Sequence, residues 1–174
     1  LFDSRSAGRR AALAATTLAC GAGLVWAGSP ASADERGDWQ PYRAQPFVDV
    51  GVCAFPVSGD IVKDEEEVRT LSTYPDGTIQ WQEFRGDLVV RFTGNGHSVE
   101  RDVPGYGWFH YLKDGTLRMR IDGGITLGIK QGNVGYPAGE YVVHGRFSVE
   151  RTADGNKIIH PAGATVENLC DTLS

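Results

Sequence analysis

The chain has 174 residues, 22 acidic against 17 basic, four histidines uncounted in a net charge of −5, and 41% hydrophobic residues. An acidic surface repels phosphate backbones and anionic lipid, so nucleic-acid binding and electrostatic membrane adsorption are excluded as first readings. Composition is otherwise that of one ordinary globular domain.

Arg9 and Arg10 precede an apolar, small-residue run from Ala11 to Trp26, closed by Ser29, Pro30 and Ala31-Ser32-Ala33. This reads as a secretory signal peptide over residues 1–33, cut after Ala33. At about 16 residues the run falls short of the ~20 that span a bilayer, so no integral membrane segment is expected in the exported part. The arginine pair also matches the core of a twin-arginine signal, with Ala11 and Ala12 following it. Leu18-Ala19-Cys20 resembles the end of a lipoprotein cleavage signal, with Thr17 where leucine is usual, which makes lipid anchoring through Cys20 the minor alternative to secretion. From Asp34 onward 141 residues keep 14 of the basic and 21 of the acidic residues, a net charge of about −7. They also keep two cysteines, Cys53 and Cys170, which an oxidising compartment pairs in the one way available. Such a bridge closes a loop of more than a hundred residues and is worth on the order of 4 kcal/mol.

Residues 34–45 (DERGDWQPYRAQ) are polar and aperiodic and predict a flexible lead-in, with a single domain over 46–174. From there apolar residues recur at period two between turn signals. Val48, Val50, Val52 and Ala54 predict the first strand; Asp64 to Glu67 (DEEE) predicts a solvated, charged edge; Val68 to Tyr74 the next strand. Pro75-Asp76-Gly77, Arg85-Gly86-Asp87 and Gly94-Asn95-Gly96 are turns that separate strands around Ile79, Leu88 to Phe92 and Ser98 to Val103. The aromatic run Tyr106 to Tyr111 forms a strand with apolar matter on both faces, and Asp114-Gly115 is a hairpin signal.

Leu117, Met119 and Ile121 alternate in one predicted strand and Ile125, Leu127 and Ile129 in another, with a turn at Asp122-Gly123-Gly124. Glu140 to Thr152 is the longest predicted strand, bent at Gly145; a short one follows around Ile158. Val166, Leu169, Cys170 and Leu173 fall at the spacing of a short terminal helix. The expected fold is all-β: an antiparallel up-and-down barrel of about 8–10 strands with a short C-terminal helix. A two-sheet β-sandwich fits the same pattern.

The histidines, His97, His110, His144 and His160, lie in separate segments without a second ligand at metal-binding spacing, so no metal and no cofactor is expected. There is no nucleophile elbow and no phosphate-binding glycine loop; catalytic residues are therefore assigned to none. A carboxylate pair drawn from distant strands, such as Asp49 with Glu83, stays open, since such pairs are defined in space. The residues expected to line a ligand cavity are Trp81, Trp108, Phe109, His110, Tyr111, His144, Arg146 and Phe147.

The export signal, early Cys53, Gly86 to Thr93 (GDLVVRFT), Asp114-Gly115-Thr116 and the closing Gly163 to Cys170 (GATVENLC) together resemble small secreted bacterial β-barrel proteins of uncharacterised function. More distantly the chain is similar to lipocalin-like and allene-oxide-cyclase-like barrels, although the lipocalin Gly-x-Trp signature is absent near its first strand. The resemblance implies a barrel that holds a small apolar molecule and carries over no functional residue. The resulting expectation is a secreted, non-enzymatic protein that binds a small apolar or amphipathic ligand or an extracellular protein. A secreted isomerase or hydrolase using the barrel cavity, and a structural or interaction protein of the cell envelope, are the alternatives.

Overall fold

A computed structural model describes residues 37–174. The expected export signal and Cys20 lie outside the described residues. Within them, no helix is long and apolar enough to cross a membrane.

The fold is all-β, with two antiparallel sheets and a four-residue C-terminal helix. In chain order the strands are β1 (Gln40–Pro41), β2 (Phe47–Asp49), β3 (Val57–Asp64), β4 (Glu67–Thr73), β5 (Ile79–Gly86), β6 (Leu88–Gly94), β7 (His97–Asp102), β8 (Gly105–Tyr111), β9 (Leu117–Ile129), β10 (Gly139–Arg151), β11 (Lys157–His160) and β12 (Thr165–Asn168), followed by α1 (Leu169–Thr172). The larger sheet runs β1-β4-β5-β8-β9-β10-β11, with β12 also on β10; the smaller runs β2-β3-β6-β7. The closed up-and-down barrel is not formed. The ladder stops at sheet edges; β1 and β2 already lie in different sheets, and the chain then passes between sheets from β3 to β4, β5 to β6 and β7 to β8.

Those crossings lie along one crease. Gly86, Gly105, Gly123 and Gly145 stand in register across β5, β8, β9 and β10. Three of them have positive φ, 140° at Gly86, 135° at Gly123 and 118° at Gly145. At Gly86 a Cβ would sit 2.3 Å from the Glu65 carbonyl, so only glycine lets the chain turn from one sheet into the other here. The same row explains why Asp122-Gly123-Gly124, expected to be a turn, is a bend inside one 13-residue strand. The strand register is unbroken from Leu117 to Ile129 against β10.

Two apolar clusters result. The first joins Val57, Val90 and Phe92 of the smaller sheet to Val142 of β10 and to Leu169 and Leu173 at α1. The second packs Met119, Ile121, Leu127, Tyr141, Val143, Phe147 and Ile159 on β9, β10 and β11. Val142 and Val143 belong to different clusters because neighbours on a strand point to opposite faces, and both are fully buried. The disulfide joins Cys53 to Cys170, with Cα atoms 5.4 Å apart, and fixes α1 to the loop after β2.

Other elements differ from expectation. The fold starts ahead of Pro46: β1 pairs with β4, and Trp39 is packed by Arg69 and Arg85. The first strand ends at Asp49, because Gly51 has φ 81° and residues 51–55 bend away. Residues 165–168 form β12 on β10, where Val166 faces Val143; the helix starts only at Leu169, capped by the Asn168 side chain accepting from the Cys170 N–H.

Candidate functional site

The crease opens a cavity of about 490 Å³ between the sheets. Its walls come from β3 to β6, β8 and β9, and from residues 42–47 ahead of and within β2. Alternation decides which side chains enter. On β5 and β8 the inward set is Gln82, Phe84, Gly107, Phe109 and Tyr111; Gln82 lies opposite Phe109, and Phe84 opposite Gly107. Phe84 meets Phe109 at 4.4 Å between ring centroids and Tyr42 at 5.3 Å, edge to face, so one wall is aromatic. Gly107 leaves room for that wall: a Cβ there would lie 2.9 Å from the Phe109 ring and 3.1 Å from Ile121 Cδ1, so both side chains would have to shift.

Few polar groups enter this space. The Tyr111 hydroxyl donates to Gln82 Oε1 at 2.8 Å, and Gln82 Nε2 reaches Thr70 Oγ1 at 3.5 Å, so those dipoles are occupied. Glu66, in the link between β3 and β4, differs: its Oε2 is buried and has no hydrogen-bond partner. Burial, and then the neighbouring Asp64 carboxylate, push the Glu66 carboxyl up to about 7. Asp64 itself accepts from the Ala44 and Glu66 backbone N–H groups. The acidic run is thus not a uniformly solvated edge. Asp64 and Glu66 turn inward while Glu65 and Glu67 pair with Lys63 and Arg85 outside. Period-two alternation within the run is the signal that could have separated them.

The eight residues expected to share a site occupy different places. Phe109 and Tyr111 line the cavity. Trp81, Trp108 and His110 are on the opposite, outer face of the same strands, where Trp81 and His110 stack at 4.0 Å and 7°. There Trp108 Nε1 donates to Glu83 Oε1 at 2.9 Å, and Arg69 Nε donates to Glu83 Oε2 at 2.5 Å. Residue Phe147 is in the second core cluster. Arg146 is exposed and paired with Asp122 at 3.0 Å, and His144 lies on β10 opposite Thr165. Sequence reasoning missed Glu66, Gln82 and Phe84.

A second group lies where β2 meets the larger sheet. Asp49 and Glu140 converge over Gly128: a Cβ on Gly128 would sit 2.2 Å from Asp49 Oδ2 and 3.0 Å from Glu140 Oε2. Glu140 is 1% exposed, and neither of its carboxyl oxygens has a donor. Lys157 donates to the Gly128 carbonyl beside them. Burial, and then the facing Asp49 carboxylate, push Glu140 up to about 8, with Lys157 opposing. The partner of Asp49 is therefore Glu140, and Glu83 belongs to the Arg69–Trp108 group. Among the described residues no set of three His, Cys, Asp or Glu side chains could hold a metal ion.

Comparison with family models, with curated proteins and with solved structures finds no match for this chain.

Proposed function

We propose that the protein is a secreted binding protein whose two creased sheets form an open, sandwich-like shell around a small amphipathic ligand. One observation carries the reading: an aromatic-walled cavity of about 490 Å³ contains one buried carboxyl oxygen without a partner, that of Glu66. Small-molecule sites have this size, apolar lining and few converging polar groups. An apolar body would replace water against Phe84 and Phe109, and a donor or cationic head would satisfy Glu66, whose unpaired state otherwise costs about 1–3 kcal/mol. Cavity chemistry of the acid–base kind needs a second titratable group in reach of the first. Asp64 beside Glu66 is engaged by the Ala44 and Glu66 backbone N–H groups and the Tyr111 hydroxyl by Gln82, and the commitment of both these neighbours favours binding over catalysis.

The test is calorimetric titration with naphthylmethylamine and naphthylacetate, two probes of one shape and opposite charge. The amine is expected to bind at least tenfold more tightly, and Glu66→Gln to abolish that preference. Failure of both probes to bind overturns the reading. Native mass spectrometry of protein taken from its own culture medium adds a direct readout, since a retained ligand appears as added mass.

A further inference from the structure

One cavity wall and Asp49, the partner of Glu140, belong to one segment. Tyr42, Ala44, Gln45 and Phe47 line the cavity, and Phe47 and Asp49 share a face of β2. β2 is three residues long and lies at the edge of its sheet, with Val48 pointing to solvent at 65% exposure. Beyond Asp49 the chain is fixed, by the Gln131 N–H on the Gly51 carbonyl at 2.9 Å and by the disulfide at Cys53. Ahead of it, the ties are to the link between β3 and β4: the Tyr42 N–H on the Glu66 carbonyl at 2.8 Å and the Ala44 N–H on Asp64 Oδ2 at 2.9 Å. Between these points β2 pairs with β3 from Phe47 to Asp49 and Phe47 packs on Phe92, while Asp49 reaches over Gly128 of the larger sheet, where it meets a buried carboxyl with no other partner.

Two facing carboxyl groups hold each other only through a shared proton; both ionised, they repel. We propose that Asp49 and Glu140 form a proton-operated clasp that holds β2 as a wall of the ligand cavity, so that losing the proton frees β2 and opens the cavity. The clasp rests on the cavity-binding reading for its purpose but not for its motion. The charged groups acting on the pair are Lys157 of β11, whose ammonium sits on the Gly128 carbonyl and attracts both carboxyl groups, and, more weakly through that lysine, Lys130 and Arg151. One ammonium cannot balance two carboxylates, and the remaining negative charge is what the proton cancels.

The direction follows from linkage. With β2 closed Glu140 titrates near 8; released to water it returns toward its ordinary 4.5. The closed form binds more protons, so opening becomes easier as pH rises from about 4.5, by up to roughly tenfold per unit, and levels off above about 8.

The experiment is hydrogen exchange of the Phe47–Asp49 amides in the full chain between pH 5.5 and 8.5. Rates are divided by those of Val90 and Phe92 on β6 to cancel the intrinsic pH dependence. The ratio is expected to rise at least tenfold in the wild type and to stay flat in Glu140→Gln, whose amide donates to Asp49 at every pH. Should Glu140→Gln fail to fold by circular dichroism, Asp49→Asn, on the exposed edge strand, is expected to give a smaller rise than the wild type, because the facing carboxylate is gone while the burial of Glu140 remains. A flat wild-type ratio, or a variant that follows the wild type, overturns the clasp. Dissociation of the neutral probe N-phenyl-1-naphthylamine is followed in parallel, with an off-rate expected to rise over the same range. Probe binding with a flat exchange ratio sinks the clasp and leaves the cavity reading standing. A rising ratio with no probe bound at any pH supports the release of β2 and overturns the cavity reading.

Discussion

Gly105 on β8 and Gly123 on β9 face each other across the crease so closely that a Cβ on Gly123 would lie 2.4 Å from the Gly105 Cα and 2.4 Å from the Pro104 carbonyl. Both obstacles are backbone, so neither can rotate aside. With φ at 135°, Gly123 also occupies a region that side chains resist. Gly123→Ala is expected to cost more than about 2 kcal/mol, combining backbone strain with the collision. Urea unfolding would show it. An alanine variant as stable as the wild type would mean that the crease does not need glycine.

The Cys53–Cys170 disulfide spans 117 positions in sequence. A cross-link of that length restricts the unfolded chain by about 4 to 5 kcal/mol. Reduction is therefore expected to lower the urea midpoint substantially and to free α1, whose Leu169 and Leu173 are fully buried. The check is equilibrium unfolding with and without dithiothreitol, with thiol labelling of the denatured protein to confirm that neither Cys53 nor Cys170 is free before reduction.

Glu66 makes a stability prediction with a definite sign. Its folded value is raised from 4.5 to about 7, so the folded state holds the proton longer than the unfolded one. Stability from this group is intact below about pH 4.5, declines as pH rises through the interval and is fully lost above about 7. Glu66→Gln removes that decline. The variant is expected to gain on the order of 2 kcal/mol over the wild type at pH 8 compared with pH 4.5, measured as a difference between the two unfolding curves.

On the outer face, Glu83 is 7% exposed and titrates in the opposite sense. Burial pushes its carboxyl up, but hydrogen bonds from Tyr106, Arg69 and Trp108 outweigh it and hold the group below its ordinary value. Arg69→Ala leaves that carboxylate without its charge partner and is expected to cost about 2 kcal/mol, with Arg69→Ala/Glu83→Gln recovering part of the loss. If the cost of the double variant equals the sum of the Arg69→Ala and Glu83→Gln costs measured singly, the two side chains are not energetically coupled. Because the Glu83 value is depressed, its contribution is present near neutral pH and disappears on acidification.

Much of this architecture was legible one residue at a time. The alternation of Leu117, Met119 and Ile121, the Asp114-Gly115 turn and the pairing of two cysteines depend on local stereochemistry or simple counting, and the structure contains all three. Gly145 was readable as a bend for the same reason. Gly123 was not: a glycine at a turn and a glycine at a crease look alike until the residue opposite is known. Likewise the DEEE run offers an alternation but not which alternate members turn inward, where Asp64 accepts from the Ala44 and Glu66 N–H groups and Glu66 lines the cavity. Glu140 looks like an ordinary strand-end acid until Asp49, ninety-one positions earlier, is brought over Gly128.

The sequence by itself determined the strand character, the hairpins at Asp76-Gly77, Asn95-Gly96 and Asp114-Gly115 and the two sides of the Tyr106–Tyr111 strand, because these follow from period two and from turns a few residues long. Only the tertiary structure decided which side was inside. Phe109 and Tyr111 face the cavity and Trp108 and His110 face outward, since the glycine crease curls β5 and β8 toward β3 and β6 and so gives one face of a two-faced strand its core. The positions of Glu66 and Glu140 have the same origin. Whether a carboxyl group keeps its proton depends on the water and charges around it, and those are set by chain segments distant in sequence.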